Sequence, residues 1–366
     1  MENNLKAAVI GCGGAGQVNH IPWYSQNKDV ELVGLVDTNI DLVKKNPQWK
    51  EHFFTDPKEM LEKVKPDLVS IASPVHLHCE HALLCMDYGC HVLCEKPMAP
   101  SLAECQKMID KAAKKNLTLG LALDKRFSTV FGKARELIQS GQIGQPLFVR
   151  SHLVMNQYWV GHPDRDPGFR GKLYTGGGAF QDLGSHYLDI SSWLLDEKIT
   201  AIYGQIDICC PEQMEVEDQA TALITFEDGT KGLIECSWVG PMDQYHAHIE
   251  EMWIYGTDGA IKVLGAQRIE LPNVGLWDRK KRQWQLISLP CDLGQFSHYQ
   301  YKRMVDEFVA CVKDGRRFFP DGEDGKRTIE CVLGAYLSSY TGEKVALPLQ
   351  ADPPLAKIFE KARKQS

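Results

Sequence analysis

The sequence predicts an α/β fold whose first third is a doubly wound parallel sheet, followed by a second, β-rich domain. Three observations predict it. At 366 residues the chain exceeds what one hydrophobic core usually supports. From Lys6 to Leu123, apolar strand segments alternate with amphipathic helices, the signature of parallel βαβ units. A glycine-rich turn directly follows the first strand. The composition, 43% hydrophobic and 24% charged, supplies full cores and shows no sign of disorder. A net charge of -7 argues against nucleic acid or an anionic membrane as the main partner, since both reward a concentrated basic face.

Lys6–Ile10 is a short apolar strand that runs into Gly11-Cys12-Gly13-Gly14-Ala15-Gly16, a G-x-G-x-x-G turn. In such a turn Gly11 permits the tight bend, Gly13 lets the backbone approach a pyrophosphate, and Gly16 lets the next helix pack on the strand. The helix start then faces the phosphates. A second strand, Glu31–Val36, ends at Asp37, about twenty residues after the glycines, where a carboxylate accepts hydrogen bonds from a ribose. That carboxylate repels a 2′-phosphate, so NAD is expected over NADP, with Lys44 and Lys45 the residues that keep NADP open. The bland alternative for Asp37 is a helix cap at a strand end.

The alternation continues with a strand at Asp67–Ala72, a helix from Glu80 to Tyr88 and a strand at His91–Cys94. A helix from Ser101 to Lys114 follows, with Ser101 as cap and Glu104 as its box partner, and then a strand from Leu117 to Leu123. Ligands of doubly wound sheets bind at the carboxyl ends of the strands. Gly11, Asp37, Ser73-Pro74, Glu95-Lys96-Pro97 and Asp124 all fall there.

The N-terminal residues lack the basic and long apolar regions of a secretory signal, and no run reaches membrane-spanning length, so a cytoplasmic location is expected. The twelve cysteines are scattered without a C-x-x-C pair and read as reduced, mostly buried thiols. His76, His78, Cys79 and His81 crowd one short stretch, but side chains so close cannot all converge on one ion, and no metal site is expected.

Taken together, the strand-end residues resemble the Gfo/Idh/MocA family of sugar and polyol oxidoreductases. Gly11–Gly16, Asp37, Ser73-Pro74-Val75-His76-Leu77-His78 and Glu95-Lys96-Pro97 are similar to its motifs in order, with Val75 where the family usually has Asn. The run Gly176-Gly177-Gly178-Ala179-Phe180-Gln181-Asp182-Leu183-Gly184-Ser185-His186-Tyr187-Leu188-Asp189 is similar to its second signature, preceded by Phe169-Arg170. Ala335–Ser339, Gly342–Val345 and Leu347-Pro348-Leu349 look like its closing helix and strand.

The resemblance implies a Rossmann domain over 1–123 and, over 124–366, a substrate-binding and oligomerisation domain built on a large, mostly antiparallel open sheet. The closing helix near 326–341 is expected to pack back toward the first domain. Segments at Pro146–Val154, Ile199–Ile208, Gln219–Phe226, Gly232–Val239 and Glu251–Tyr255 have the strand character this requires. The resemblance also implies a homodimer or homotetramer through that sheet. Its cofactor-binding set is Gly11, Gly13, Gly14, Ala15, Gly16, Asp37, Thr38, Ser73, Pro74, His78, Glu95 and Lys96.

Oxidising a secondary alcohol needs a hydride acceptor and a group that takes the hydroxyl proton. Asp182 and His186, four apart, share a face if their segment is helical, and an imidazole suits general-base work near neutral pH. By resemblance the matching lysine, aspartate and histidine are catalytic. His186 is assigned as base, Lys96 as the electrostatic and relay partner that favours a developing alkoxide, and Asp182 as orienting group or substrate ligand. Taken singly, Lys96 reads equally as a surface lysine and His186 as a core histidine.

Arg126, His152, Tyr158, Arg170, Gln181 and His186 are candidate substrate contacts, flanked by Trp159, and Asn156–Tyr174 is expected to form a loop over the cleft. The expected reaction is NAD-dependent oxidation of a secondary hydroxyl of a sugar, glycoside or inositol, with C3 of a glucosyl ring favoured. The alternatives are transient C3 oxidation with retained NAD in support of glycoside cleavage, and an NAD-binding redox sensor without catalysis.

Overall fold

The computed structural model describes residues 4–155, 157, 160, 164–240, 249–264, 273–289 and 299–365. The chain divides into two compact units, the first comprising Met1–Asp124 and His298–Arg327, the second Lys125–Ser297 and Thr328–Ser366.

The first unit is built on six parallel strands, β1 (Leu5–Ile10), β2 (Val30–Val36), β3 (Phe53–Phe54), β4 (Leu68–Ile71), β5 (His91–Glu95) and β6 (Leu119–Ala122), in the order β3-β2-β1-β4-β5-β6. The connections hold α1 (Ile21–Gln26), α2 (Asp41–Lys45), α3 (Pro57–Val64), α4 (His78–Asp87) and α5 (Leu102–Lys115). Ala7, Ala8, Val9 and Ile10 of β1 are shut off from solvent, as are Leu68, Val69 and Ile71 of β4. Such continuous apolar runs are what a sheet covered on both faces requires. Because strand order reverses between β1 and β4, a crevice opens at their carboxyl ends.

Helix boundaries follow local chemistry. Asp56 caps α3 by accepting from Lys58 N and Glu59 N, and Lys65 in the left-handed region ends it. Ser101 Oγ accepts from Glu104 N (3.2 Å) to start α5, and Asn116 at φ 54° ends it. The helix after the glycine turn differs from expectation. It opens as a π-helical stretch, Gly16–His20, before α1, where Pro22 occupies the first turn and needs no N–H.

The second unit contains α6 (Thr129–Gln139), α7 (Ser185–Leu195) and nine strands: β7 (Pro146–Val154), β8 (Ile199–Asp207), β9 (Gln219–Phe226), β10 (Lys231–Ser237), β11 (Ile249–Gly256), β12 (Gly259–Leu264), β13 (Val274–Asp278), β14 (Gln283–Ile287) and β15 (Val345–Ala346). Their order is β14-β13-β12-β11-β7-β10-β9-β8-β15, antiparallel throughout except where β10 runs parallel to β7. The strands alternate: Val149, Ser151, Leu153, Ala222, Ile224, Ile234, Cys236, Met252 and Ile254 form a buried face. The other face is open and aromatic. Trp253 stacks on Tyr255 (5.8 Å between centroids), Phe148 lies 6.3 Å from Tyr255, and Trp284 meets Trp253 edge-on.

The chain then returns to the first unit through α8 (Tyr299–Asp314) and the start of α9 (Gly322–Thr341), and ends with α10 (Leu355–Gln365). Here the structure departs from a division at 123/124. Leu121 N donates to Pro320 O (2.9 Å), Gly120 bridges Asp321, and Asn27 Nδ2 donates to Asp306 (2.8 Å). The physical reason is edge protection: β6 ends its sheet, and the Phe318–Asp321 segment covers that edge. Among the described residues no helix is long and apolar enough to cross a membrane.

Candidate active site

The glycine turn has the geometry a dinucleotide requires. Gly11 has φ +95°, and a Cβ there would lie 2.4 Å from the Ala72 carbonyl carbon; on Gly16 a Cβ would lie 2.0 Å from Gly11 O. Gly13 and Gly14, by contrast, face open space, leaving their backbone approachable. Asp37 at the end of β2 is tied to this turn, since Cys12 N donates to its Oδ2 (2.8 Å) and Asn39 N to its Oδ1 (2.9 Å). It is therefore not a helix cap: α2 begins later, at Asp41. Thr38 beside it is exposed, and Ala15 lies between the open glycines and Gly16. These residues fit NAD, whose phosphates Gly13 and Gly14 would admit and whose ribose Asp37 would meet.

Lys96 is held by what flanks it. Glu95 is buried, and its Oε1 lies 3.1 Å from His20 Nε2 and accepts from Asn19 Nδ2 (3.2 Å), while Lys96 N donates to Oε2 (3.1 Å). Burial alone would raise the Glu95 carboxyl; the His20 imidazole, Lys96 and Asn19 outweigh it and hold the group below its usual range. On the other side, His78 Nδ1 lies 3.0 Å from Pro97 O and its Nε2 lies 2.8 Å from Ser73 O. Burial pushes His78 below the usual imidazole range, with those carbonyls opposing. One side chain thus ties the Ser73-Pro74 strand end to the lysine's segment. His81 Nδ1 lies 2.9 Å from Ser73 Oγ. Among the described residues no group of three or more His, Cys, Asp or Glu side chains is placed for a metal ion.

In the second unit, Asp182 and His186 lie on one helical segment whose first part, Phe180–Gly184, is π-helical and continues directly into α7. Sequence reasoning anticipates the helix but not its widened turn. Gly184 contributes: a Cβ there would lie 2.5 Å from the Phe180 ring, so the ring packs against bare backbone. Arg170 Nε lies 4.0 Å from Asp182 Oδ2, and the Arg170 guanidinium stacks on Phe169. Gln181 is buried, and its Nε2 makes no hydrogen bond among the described residues.

Two substrate candidates have other surroundings. Arg126 gives two donors to Asp189, Nε to Oδ2 (3.0 Å) and Nη2 to Oδ1 (2.5 Å), so it fastens α7 three residues past His186. His152 alternates with buried Ser151 and Leu153 and therefore stands on the open face, 3.9 Å from Glu235; period-two alternation separates it from Asp182 and His186. Tyr158 and Trp159 lie outside the described residues, as do 156 and 161–163 of the Asn156–Tyr174 loop.

Sequence reasoning missed Glu217, Lys125 and Glu250. Lys125 pairs with Glu250, which also accepts from Tyr187 OH (2.9 Å). The available signal was an acidic Glu217-Asp218 pair at the threshold of an apolar strand.

A parallel sheet with this order and an open glycine turn, linked to a β domain carrying an Asp–His pair, defines a two-domain dinucleotide-dependent oxidoreductase. Residues 5–123 match the family described as Gfo/Idh/MocA, oxidoreductase family, NAD-binding Rossmann fold, and 131–262 match the Gfo/Idh/MocA C-terminal domain. The chain is 30% identical to D-glucoside 3-dehydrogenase of Escherichia coli, across 94% of this chain and 97% of that protein. It is 25% identical to myo-inositol 2-dehydrogenase of Thermotoga maritima, across 94% and 99%. Levoglucosan dehydrogenase, solved with NADH and levoglucosan, shares the fold at a TM-score of 0.84 and 20% identity, covering 94% of this chain and 100% of that one. An oxidoreductase domain protein from Kribbella flavida does so at 0.84 and 21%, covering 95% and 100%. The chain belongs to the Gfo/Idh/MocA oxidoreductase family, and its cofactor is NAD.

Proposed function

We propose that the protein oxidises a secondary hydroxyl of a sugar, glycoside or inositol, with C3 of a glucosyl ring favoured. The observation that carries this reading is the likeness to D-glucoside 3-dehydrogenase over 94% of the chain. The site supports it, because Lys96, Asp182 and His186 supply the charge and the base that alcohol oxidation needs.

When bound, NAD supplies the hydride acceptor. His186 takes the hydroxyl proton, and Asp182 orients it or bonds the substrate directly. Lys96, braced through Glu95 and Pro97, favours the developing alkoxide by its positive charge. Gln181 offers its buried Nε2 to a substrate oxygen, and Arg170 presents a guanidinium beside Asp182. Tyr158 keeps its place as a contact on sequence grounds, whereas Arg126 acts by fixing Asp189. The open aromatic face of the nine-stranded sheet meets a second copy of the chain, giving a homodimer or homotetramer. A reducing, cytoplasmic setting belongs to the same reading, supported by buried free thiols such as Cys12, Cys85 and Cys94.

The deciding experiment incubates purified protein and NAD with inositols, free sugars and glycosides, following NADH and keto product together. A keto-glycoside with matching NADH supports the proposal, and a keto-glycoside without net NADH replaces it with transient oxidation. No product from any of them refutes it. In the active reaction, Lys96→Ala and His186→Ala should each lower kcat by roughly 10²- to 10⁴-fold while NAD affinity stays near normal. Near-normal turnover in either variant would overturn that residue's role.

A further inference from the structure

The helical segment that carries Gln181, Asp182 and His186 follows Gly178, and its first two amides are both met by Glu217. Ala179 N donates to Glu217 O (3.0 Å) and Phe180 N donates to Glu217 Oε1 (2.8 Å). Tyr336 OH donates to the same Glu217 Oε1 (2.8 Å) and so holds the carboxyl in place. Amides at the start of a helix have no partner inside it, so whatever receives them sets where the helix begins. Glu217 and Tyr336, which lies on α9, are both buried. A Cβ on Gly178, at φ +121°, would lie 2.4 Å from Glu217 Oε1 and 2.5 Å from Oε2, so the carboxyl is seated directly on the glycine backbone. A buried carboxyl is a costly way to fill space that an apolar side chain fills well, which argues for a task beyond packing.

We propose that Glu217, together with Tyr336, is a positioning residue for alcohol oxidation: the two side chains fix the origin of the π-helical segment and thereby the placement of Gln181, Asp182 and His186. This rests on the roles given above to Asp182 and His186.

The clamp titrates. Burial pushes the Glu217 carboxyl up to about 8, with the Tyr336 hydroxyl and the Phe180 amide opposing and Asp218 adding to the rise. The titratable groups facing it are Tyr336 from α9, Asp218 beside it on the chain and Cys236 from β10, all of them raised by burial. Oε2 makes no hydrogen bond among the described residues. The native state therefore holds this proton more tightly than an opened or unfolded chain, so opening becomes progressively more favourable as pH rises from about 4.5 to about 8 and levels off above that.

The test measures amide hydrogen exchange across Gly178–His186 in the full-length NAD-bound protein, alongside turnover of methyl β-D-glucoside. Glu217→Ala should raise exchange there by about tenfold or more, as expected for a lost helix-start acceptor, with other segments unchanged. Its kcat should fall while KM and NAD affinity hold. Glu217→Gln keeps an accepting oxygen and should restore both protection and turnover. Between about pH 5 and about pH 8, wild-type exchange in this segment should rise beyond the intrinsic increase and the excess should level off above that, and Glu217→Gln should not show it. Should Glu217→Ala fail to fold, Tyr336→Phe removes one donor and must show the same local loss of protection. Unchanged protection in the Ala or Phe variants, or a Gln variant as impaired as Ala, overturns the clamp. The exchange arm decides this without turnover, whereas an active His186→Ala would overturn the catalytic reading alone, so the two failures are told apart.

Discussion

Gly11 and Gly13 lie two residues apart in one turn and are glycine for different reasons. At Gly11 a methyl group would meet backbone atoms of Ala72 and Ser73 within 2.5 Å, whereas at Gly13 it would meet nothing. Gly11→Ala should therefore lower both thermal stability and NAD affinity. Gly13→Ala should leave the melting temperature in place and weaken NAD binding alone, because only a bound pyrophosphate needs that space. Calorimetry of both variants with and without NAD checks this, and equal melting losses would contradict it. Glu95 makes a second residue-level prediction. A carboxylate held below its unfolded value adds stability above that value and loses it as pH falls through the native one. The protein should lose stability progressively below about pH 4.5, the usual value for Glu. Glu95→Gln should flatten that acid limb and cost roughly 1–3 kcal/mol near neutral pH, since it weakens what His20 and Asn19 reach. An unchanged acid limb in melting curves would count against the pairing.

At the scale of elements, the segment Phe318–Asp321 is the clearest case of structure built for an edge. Gly120 on β6 has room for the rings of Phe318 and Phe308 only because it lacks a Cβ, which would lie 2.6 Å from Phe318 and 3.2 Å from Phe308. The two rings meet edge-on at 5.3 Å. Gly120→Ala should destabilise the first unit by about 1–3 kcal/mol through overpacking and should speed amide exchange at Leu121, whose N–H is held by Pro320. Normal protection at Leu121 would show that the segment gives way without cost. No local pattern announces this contact. Leu117–Leu123 reads as a strand because its alternation is local, but a partner nearly two hundred positions away leaves no periodicity in either stretch. The π-helical turns at Gly16–His20 and Phe180–Gly184 were hidden for a similar reason, since they depend on what each glycine backbone packs against.

At the scale of the whole molecule, the open sheet face carries Phe148, Trp253, Tyr255, Trp277 and Trp284, with Trp284 41% and Leu286 64% exposed. An apolar surface of this kind calls for a partner, and the proposed one is a second copy of the chain. Sedimentation should show a dimer or tetramer at micromolar concentration, and Trp284→Glu should shift it toward monomer without loss of secondary structure. A monomeric wild type would rule the interface out. The sequence by itself determined the parallel sheet and the glycine turn, and it offered Asp37, Lys96, Asp182 and His186 as the candidates at its strand ends and second signature, because each follows from a short motif or a local period. The tertiary structure alone decided that Arg126 serves Asp189, that His152 faces away from the Asp182–His186 segment, that β6 is closed by Phe318–Asp321, and that Glu217, held by Tyr336, receives the amides at which that segment starts. Those outcomes depend on side chains distant in sequence meeting in a packed interior, where burial favours polar groups that find a partner, and no local spacing encodes which partner it is.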